Sequence, residues 1–116
     1  MKVSLQDDAE IPGALYVRPI GLLDTNGSPQ LNDAVFEHIT TAKPTLLMDL
    51  AAVEWVSSAG VGVLVKLLAR TQALAGQFAL FNCGPRVRTV LKICGLEEPL
   101  KVCDTVDEAR AKLRGA

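Results

Sequence analysis

The chain has 116 residues, 49% of them hydrophobic and 22% charged, and its 12 Lys+Arg against 13 Asp+Glu leave a formal net charge of -1. This is the length of one domain, expected to run through residues 1–116, with enough apolar content to bury a core, which excludes an intrinsically disordered chain. The cationic excess that a nucleic-acid binder needs to neutralise phosphates is missing, so no direct contact with nucleic acid is expected.

The N-terminal MKVSLQDDAE lacks the apolar core of a signal peptide. The longest apolar stretch, around Val61 to Ala69, is broken by Lys66 and falls well short of the roughly 20 residues that span a bilayer. A cytoplasmic protein without membrane insertion is expected. The three cysteines, Cys83, Cys94 and Cys103, form no CxxC and have no histidine nearby. An odd count in that arrangement fits neither a disulfide framework nor a zinc site, and reads as reduced thiols in or near a core. No metal and no cofactor are expected.

In chain order, Val3–Gln6 and Leu15–Ile20 read as short strands around a Pro12-Gly13 turn, an antiparallel pair at one end of a sheet. Ser28 is placed to cap a first helix, with Pro29 at its first position and Leu31, Ala34, Val35, His38 and Ala42 on one face. Lys43-Pro44 stops that helix, because proline disfavours helix in the residue before it. Thr45–Leu50 is an apolar run suited to a strand buried on both faces. A second helix follows over 58–75, with Val61, Leu64, Val65 and Leu68 inward and Gly76 as its left-handed cap. Phe78–Phe81 is the next buried strand, and the strand–helix–strand spacing makes it parallel to the previous one. Pro85 opens a third helix with a stripe of Val87, Val90, Leu91 and Cys94, and Gly95-Leu96 closes it as a Schellman motif. Leu100–Cys103 reads as a short strand. Thr105-x-x-Glu108 is a capping box that starts a final helix with Val106, Ala109 and Leu113 inward. The fold class is α/β: one central mixed sheet of about five strands flanked by about four helices.

Catalytic patterns fit poorly. Val56-Ser57-Ser58-Ala59-Gly60 lacks the first glycine of a serine-hydrolase elbow, and His38, the one histidine, falls on the apolar stripe of the first helix. A cysteine phosphatase would need an arginine where Thr89 follows Cys83, and Gly60-Val61-Gly62 is half of a dinucleotide fingerprint with no third glycine. Arg86, Arg88 and Lys92 make a small basic face that reads as solvated, with an anion or acidic-partner site as the sharper alternative. The protein is expected not to be an enzyme, and one using Ser57, Ser58 or Cys83 ranks last among the readings.

One segment exceeds what a core needs. A buried strand ending at Asp49-Leu50 runs into a short loop, and then Ser57 and Ser58 stand at the mouth of an apolar helix. Loops at the C-terminal ends of strands are where α/β folds place function. One serine is explained as a cap; two adjacent serines are more than a cap requires.

Asp49-Leu50, Trp55-Val56 and Ser57-Ser58-Ala59-Gly60-Val61-Gly62, followed by Pro85–Leu91 with Gly95-Leu96 and by Asp104–Ala109, resemble in order and spacing the STAS domains, in particular the anti-sigma-factor antagonists. The resemblance covers nearly the whole chain. It implies that Ser58 is a phosphoacceptor and that Ser57, Ser58, Ala59, Gly60 and Val61 form the partner-binding surface. It also implies binding, when unphosphorylated, to an anti-sigma factor with serine-kinase activity. Ser57 stands where the family has Asp, and Ala59 where it has a second hydroxyl. The alternative implied by the same resemblance is a non-phosphorylated STAS accessory subunit of a lipid-transport ABC system, bound to its ATPase subunit.

Overall fold

The computed structural model describes residues 1–40 and 43–114. In chain order the elements are β1 (Lys2–Asp7), β2 (Ala14–Leu23), α1 (Ser28–Phe36), β3 (Thr45–Asp49), β4 (Val53–Val56), α2 (Ser58–Ala73), β5 (Gln77–Phe81), α3 (Pro85–Ile93) and α4 (Val106–Arg114). The five strands form one mixed sheet in the order β1-β2-β3-β5, with β4 paired to β2. β1 runs antiparallel to β2, whereas β3, β4 and β5 lie parallel to their neighbours.

Alternation along the strands separates two cores. Leu46 and Met48 of β3 and Phe78 and Leu80 of β5 face the side covered by α1, α2 and α3, where Leu31, Val35, Leu64, Leu67, Val87 and Leu91 are buried with them. Leu47, Ala79 and Phe81 face the other side, where α4 contributes Ala109 and Leu113. The continuous apolar character of Thr45–Leu50 and Phe78–Phe81 follows from this, since both faces of these strands are covered.

Several expectations are corrected. Gly27, not Ser28, caps α1, and Ser28 and Pro29 are its first two residues. The capping work falls to Asp24, whose carboxylate accepts from the Asn26 and Gly27 amides at 3.0 and 2.8 Å and whose carbonyl accepts from the Ser28 amide. The inward face of α1 continues through Ile39, and His38 is exposed; Ala42 lies outside the described residues. Val65 and Cys94 are likewise exposed, with Leu67 and Thr71 completing the buried face of α2. After α2 it is Ala75 that takes the left-handed backbone (φ 58°), while Gly76 lies against the Pro44 carbonyl, where a side chain would collide. Leu100–Cys103 is not a strand but a turn-rich segment whose ladder pairing with β5 is the single Leu80–Val102 bridge. The stretch 53–56, read as loop, is strand β4.

The end of α3 forms as expected and the capping box at the start of α4 forms in half. Leu96 donates to the Leu91 carbonyl at 2.9 Å and Gly95 to that of Lys92 at 3.0 Å, with Gly95 at φ 69°, which is the Schellman arrangement. Thr105 Oγ1 accepts from the Glu108 amide at 3.2 Å, but the Glu108 carboxylate reaches back to the Asp104 amide rather than to that of Thr105.

Candidate functional site

The site is built where β2 and β4 end side by side. β2 is ten residues long; its first half pairs with β1 and β3, and its last residues pair with β4. The register with β4 runs Gly21–Val53, Leu22–Trp55 and Leu23–Val56, so Glu54 is an extra residue that bulges out of the ladder. Gly21 absorbs the bend at φ 122°, a conformation closed to side-chain-bearing residues. Ser57 then leaves β4 in extended backbone, its amide donating to the Leu23 carbonyl at 2.9 Å.

Ser57 caps α2: its Oγ accepts from the Gly60 amide at 3.5 Å, a long contact, and its carbonyl accepts from Val61 at 2.9 Å. Ser58 is the first helical residue and is exposed; its hydroxyl has no partner among the described residues. Ala59 and Val61 are half-buried. Gly60 is buried, and a Cβ there would run into the Leu23 carbonyl, with the Leu23 and Val56 side chains next in line. The glycine is thus required by close approach of β2 to the helix, and it positions the serines rather than offering a surface. The structure therefore brings Ser57, Ser58, Ala59 and Val61 together at one helix mouth over a backbone clamp made by Leu23 and Gly60.

Two features near this mouth were missed from sequence. Trp55, 38% exposed, faces outward beside it with the Arg86 guanidinium over its ring at 5.0 Å. Of the three bases on α3, Arg88 is bound to Glu97 at 2.7 Å and Asp104 at 2.9 Å, while Arg86 and Lys92 are exposed, with Arg86 stacked on Trp55. A Trp followed thirty-one residues later by a helix-opening Pro-Arg carries no local signal of that stack. The second feature is the cleft between α1 and α2, of about 310 Å³, with Ala59 and Ser28 on its walls.

Asp49 holds the loop that leads into β4. It is 4% exposed and its carboxylate accepts from the Tyr16 hydroxyl at 2.6 Å, the Ala51 amide at 2.9 Å and the Asn82 side chain at 3.2 Å. Burial, then the hydrogen bond to Asp49 and its charge, push the Tyr16 phenol up to about 12. Burial also lifts the Cys83 thiol to about 11, which leaves it a poor nucleophile at neutral pH. Cys94 is exposed and Cys103 buried. His38 stands apart from Ser57 and Ser58, at the far end of α1, where its side chain lies 3.9 Å from Glu37. Among the described residues no cluster of His, Cys, Asp and Glu is arranged to hold a metal ion, and no helix is long and apolar enough to cross a membrane.

The chain belongs to the STAS domain family, whose model matches residues 7–109. It is 36% identical over 70 residues to a Thermotoga neapolitana protein provisionally named an anti-sigma factor antagonist; the match covers 60% of this chain and spans only 62% of that relative's length. Its fold superposes on the anti-sigma factor antagonist SpoIIAA in its unphosphorylated form with a TM-score of 0.74 and 25% identity, covering 97% of this chain and 98% of the other. It also superposes on an anti-sigma factor antagonist from Mycobacterium paratuberculosis with a TM-score of 0.82 and 24% identity, over 97% and 95% of the two chains; this second likeness concerns the fold alone.

Proposed function

We infer that the protein is an anti-sigma factor antagonist: a binding module whose helix mouth at Ser57–Val61 docks an anti-sigma factor, and whose docking is ended by phosphorylation of Ser58. The observation that carries this reading is the exposed, unpartnered Ser58 hydroxyl on the first residue of α2. A phosphate placed there lies at the positive end of a 16-residue helix, close to its first backbone amides. It also brings about -1.5 to -2 charges to a surface otherwise formed by Ala59, Val61 and the neighbouring Trp55, and an interface fitted to a neutral hydroxyl rejects that charge. The names of the relatives support the same role. Ser57, in place of an acid, caps the helix without placing a carboxylate beside the acceptor.

The test is phosphosite mapping after incubation with ATP and the kinase that co-purifies with the protein. Phosphate on Ser58, abolished in Ser58→Ala with partner binding retained and weakened in Ser58→Asp, is the expected result. Phosphate on Ser57 alone overturns the assignment of the acceptor. A stable complex with a transporter ATPase and no phosphate points instead to the accessory-subunit reading.

A further inference from the structure

The sheet is covered unequally. On the face opposite α2, helix α4 lies over β3 and β5, where it buries Leu47, Ala79 and Phe81. The rest of that face, formed by β1, the second half of β2 and β4, has no helix over it among the described residues. Ala14 and Tyr16 pack with the α4 core, and strand alternation carries Arg18, Ile20 and Leu22 from there onto the bare half. Cross-strand register sets Lys2 opposite Ile20 and Trp55 opposite Leu22. Ile20, Leu22 and Trp55 are 42%, 47% and 38% exposed, three of the five large apolar side chains that stand at the surface among the described residues. A lone apolar residue at a surface needs no explanation, but three neighbours on one sheet face mark an interaction surface.

The charges around the patch choose its occupant. Lys2 and Arg18 are exposed beside Ile20, and the Arg86 guanidinium lies 5.0 Å from the centroid of the Trp55 ring. None of the three is in a salt bridge among the described residues, whereas Arg88 and Arg110 are each paired. One exposed acid, Glu54, adjoins them on the bulge, so on a chain of net charge -1 the bare face is cationic. A second copy docked face to face would set these cations against one another. Three cations, each worth about 1 kcal/mol against anionic lipid, with three apolar side chains make only a weak membrane hold. A helix with an apolar stripe flanked by carboxylates satisfies both the apolar patch and the cations, and beside α4 it completes the helical layer on this face.

We propose that the bare half of the sheet docks an acidic amphipathic helix of a partner protein, its apolar stripe on Ile20, Leu22 and Trp55 and its Glu or Asp carboxylates against Lys2, Arg18 and Arg86. The surface goes beyond the phosphorylation reading: it lies across the sheet from α2, and none of Ser57–Val61 contributes to it. Trp55 borders both.

Trp55 is the chain's single tryptophan, so its fluorescence reads the face directly. The probes are three tryptophan-free helical peptides of about 15 residues with one leucine stripe, flanked by glutamate, by glutamine or by lysine. The glutamate peptide should shift the Trp55 emission to the blue saturably. It should bind roughly tenfold tighter than the glutamine peptide, with the lysine peptide weaker still, and the preference should shrink as salt is raised. Leu22→Asp and Arg18→Glu should each weaken binding roughly fivefold or more, whereas Val65→Asp, at a 40% exposed apolar position on α2, should leave it unchanged. If Leu22→Asp fails to fold, Arg18→Glu, at an exposed position, decides alone. No saturable shift with the glutamate peptide, or equal affinity for all three, overturns the proposal. Loss of binding in Val65→Asp moves the peptide to α2 and overturns it too. A larger blue shift from phosphatidylglycerol vesicles than from the peptide makes the face a lipid surface instead, and a dimer in sedimentation that Leu22→Asp dissolves makes it a contact between copies.

Discussion

The carbonyl oxygen of Leu23 accepts the Ser57 amide at 2.9 Å and at the same time occupies the space that a side chain on Gly60 would need. One atom of β2 thus sets both the last residue before α2 and the depth at which that helix begins. Ser58 stands at the surface because the residue two positions beyond it has no side chain.

That relationship makes the glycine the sensitive position. Gly60→Val should lower stability by about 3 kcal/mol, the upper part of the usual range for overpacking, and should disturb partner binding with it. Ala59→Ser, one residue earlier and half-buried, should fold with an unchanged circular dichroism spectrum. Urea unfolding of the two variants side by side checks this, and equal midpoints would show that the helix mouth is misplaced.

Tyr16 is the chain's single tyrosine, so absorbance of the phenolate reports it alone. Its folded-state pKa is about 12, above the roughly 10 of an unfolded chain. A raised value means that the phenol's contribution to stability is fully present below pH ~10 and disappears as the pH climbs through the folded-state value. The expected titration midpoint is near 12 in the native protein and near 10 in urea. Tyr16→Phe should cost about 1–2 kcal/mol, because Asp49 keeps its bonds from Ala51 and Asn82.

Asp8 behaves in the opposite sense. Burial pushes its carboxyl up, but the Arg110 guanidinium at 2.7 Å and the Ile11 and Glu10 amides together outweigh that and hold it below the usual carboxylate value. A lowered value stabilises the fold above the unfolded pKa of about 3.9, and the stabilisation is lost as the pH falls through the folded-state value. Asp8→Ala should therefore cost about 2 kcal/mol at neutral pH, since it removes the shortest ion pair of Arg110 and leaves those with Glu10 at 3.4 Å and Asp107 at 3.8 Å, and should flatten the acid limb of the stability–pH curve. Denaturant melts from pH 2 to 7 give both numbers.

Thiol chemistry should divide the cysteines by exposure. In the native protein the exposed Cys94 reacts quickly with an aromatic disulfide reagent, while Cys83 and the buried Cys103 lag. In urea without reductant all three should react. Counting a single thiol under those conditions would mean that two had paired.

The α/β architecture was legible because its buried strands and capped helices announce themselves locally: Thr45–Leu50, Gly95-Leu96 and Thr105-x-x-Glu108 each carry a chemical reason for their conformation. The errors arose where tertiary contacts overrule local preference. Ser28 has ideal cap chemistry, yet the Asp24 turn fixes the chain one residue earlier and leaves its hydroxyl inside. Val53–Val56 is too short to show alternation and becomes a strand only because β2 extends past β3 to receive it. Ser57 and Ser58 were visible as an excess of hydroxyls at a helix start, but the reason for Gly60 lies in Leu23, thirty-seven residues earlier.

β4 is moored on one side only. It meets β2 at three register pairs with a bulge among them, whereas β3 is held by four pairs to β2 and five to β5. The strand that leads into the serines is therefore pinned less by its ladder than by its side chains: Val53 and Val56 are buried in the core and Trp55 carries the Arg86 guanidinium. The proposed acceptor Ser58 thus stands just beyond a strand anchored through its side chains, and a partner that clasps Trp55 would tighten that anchor.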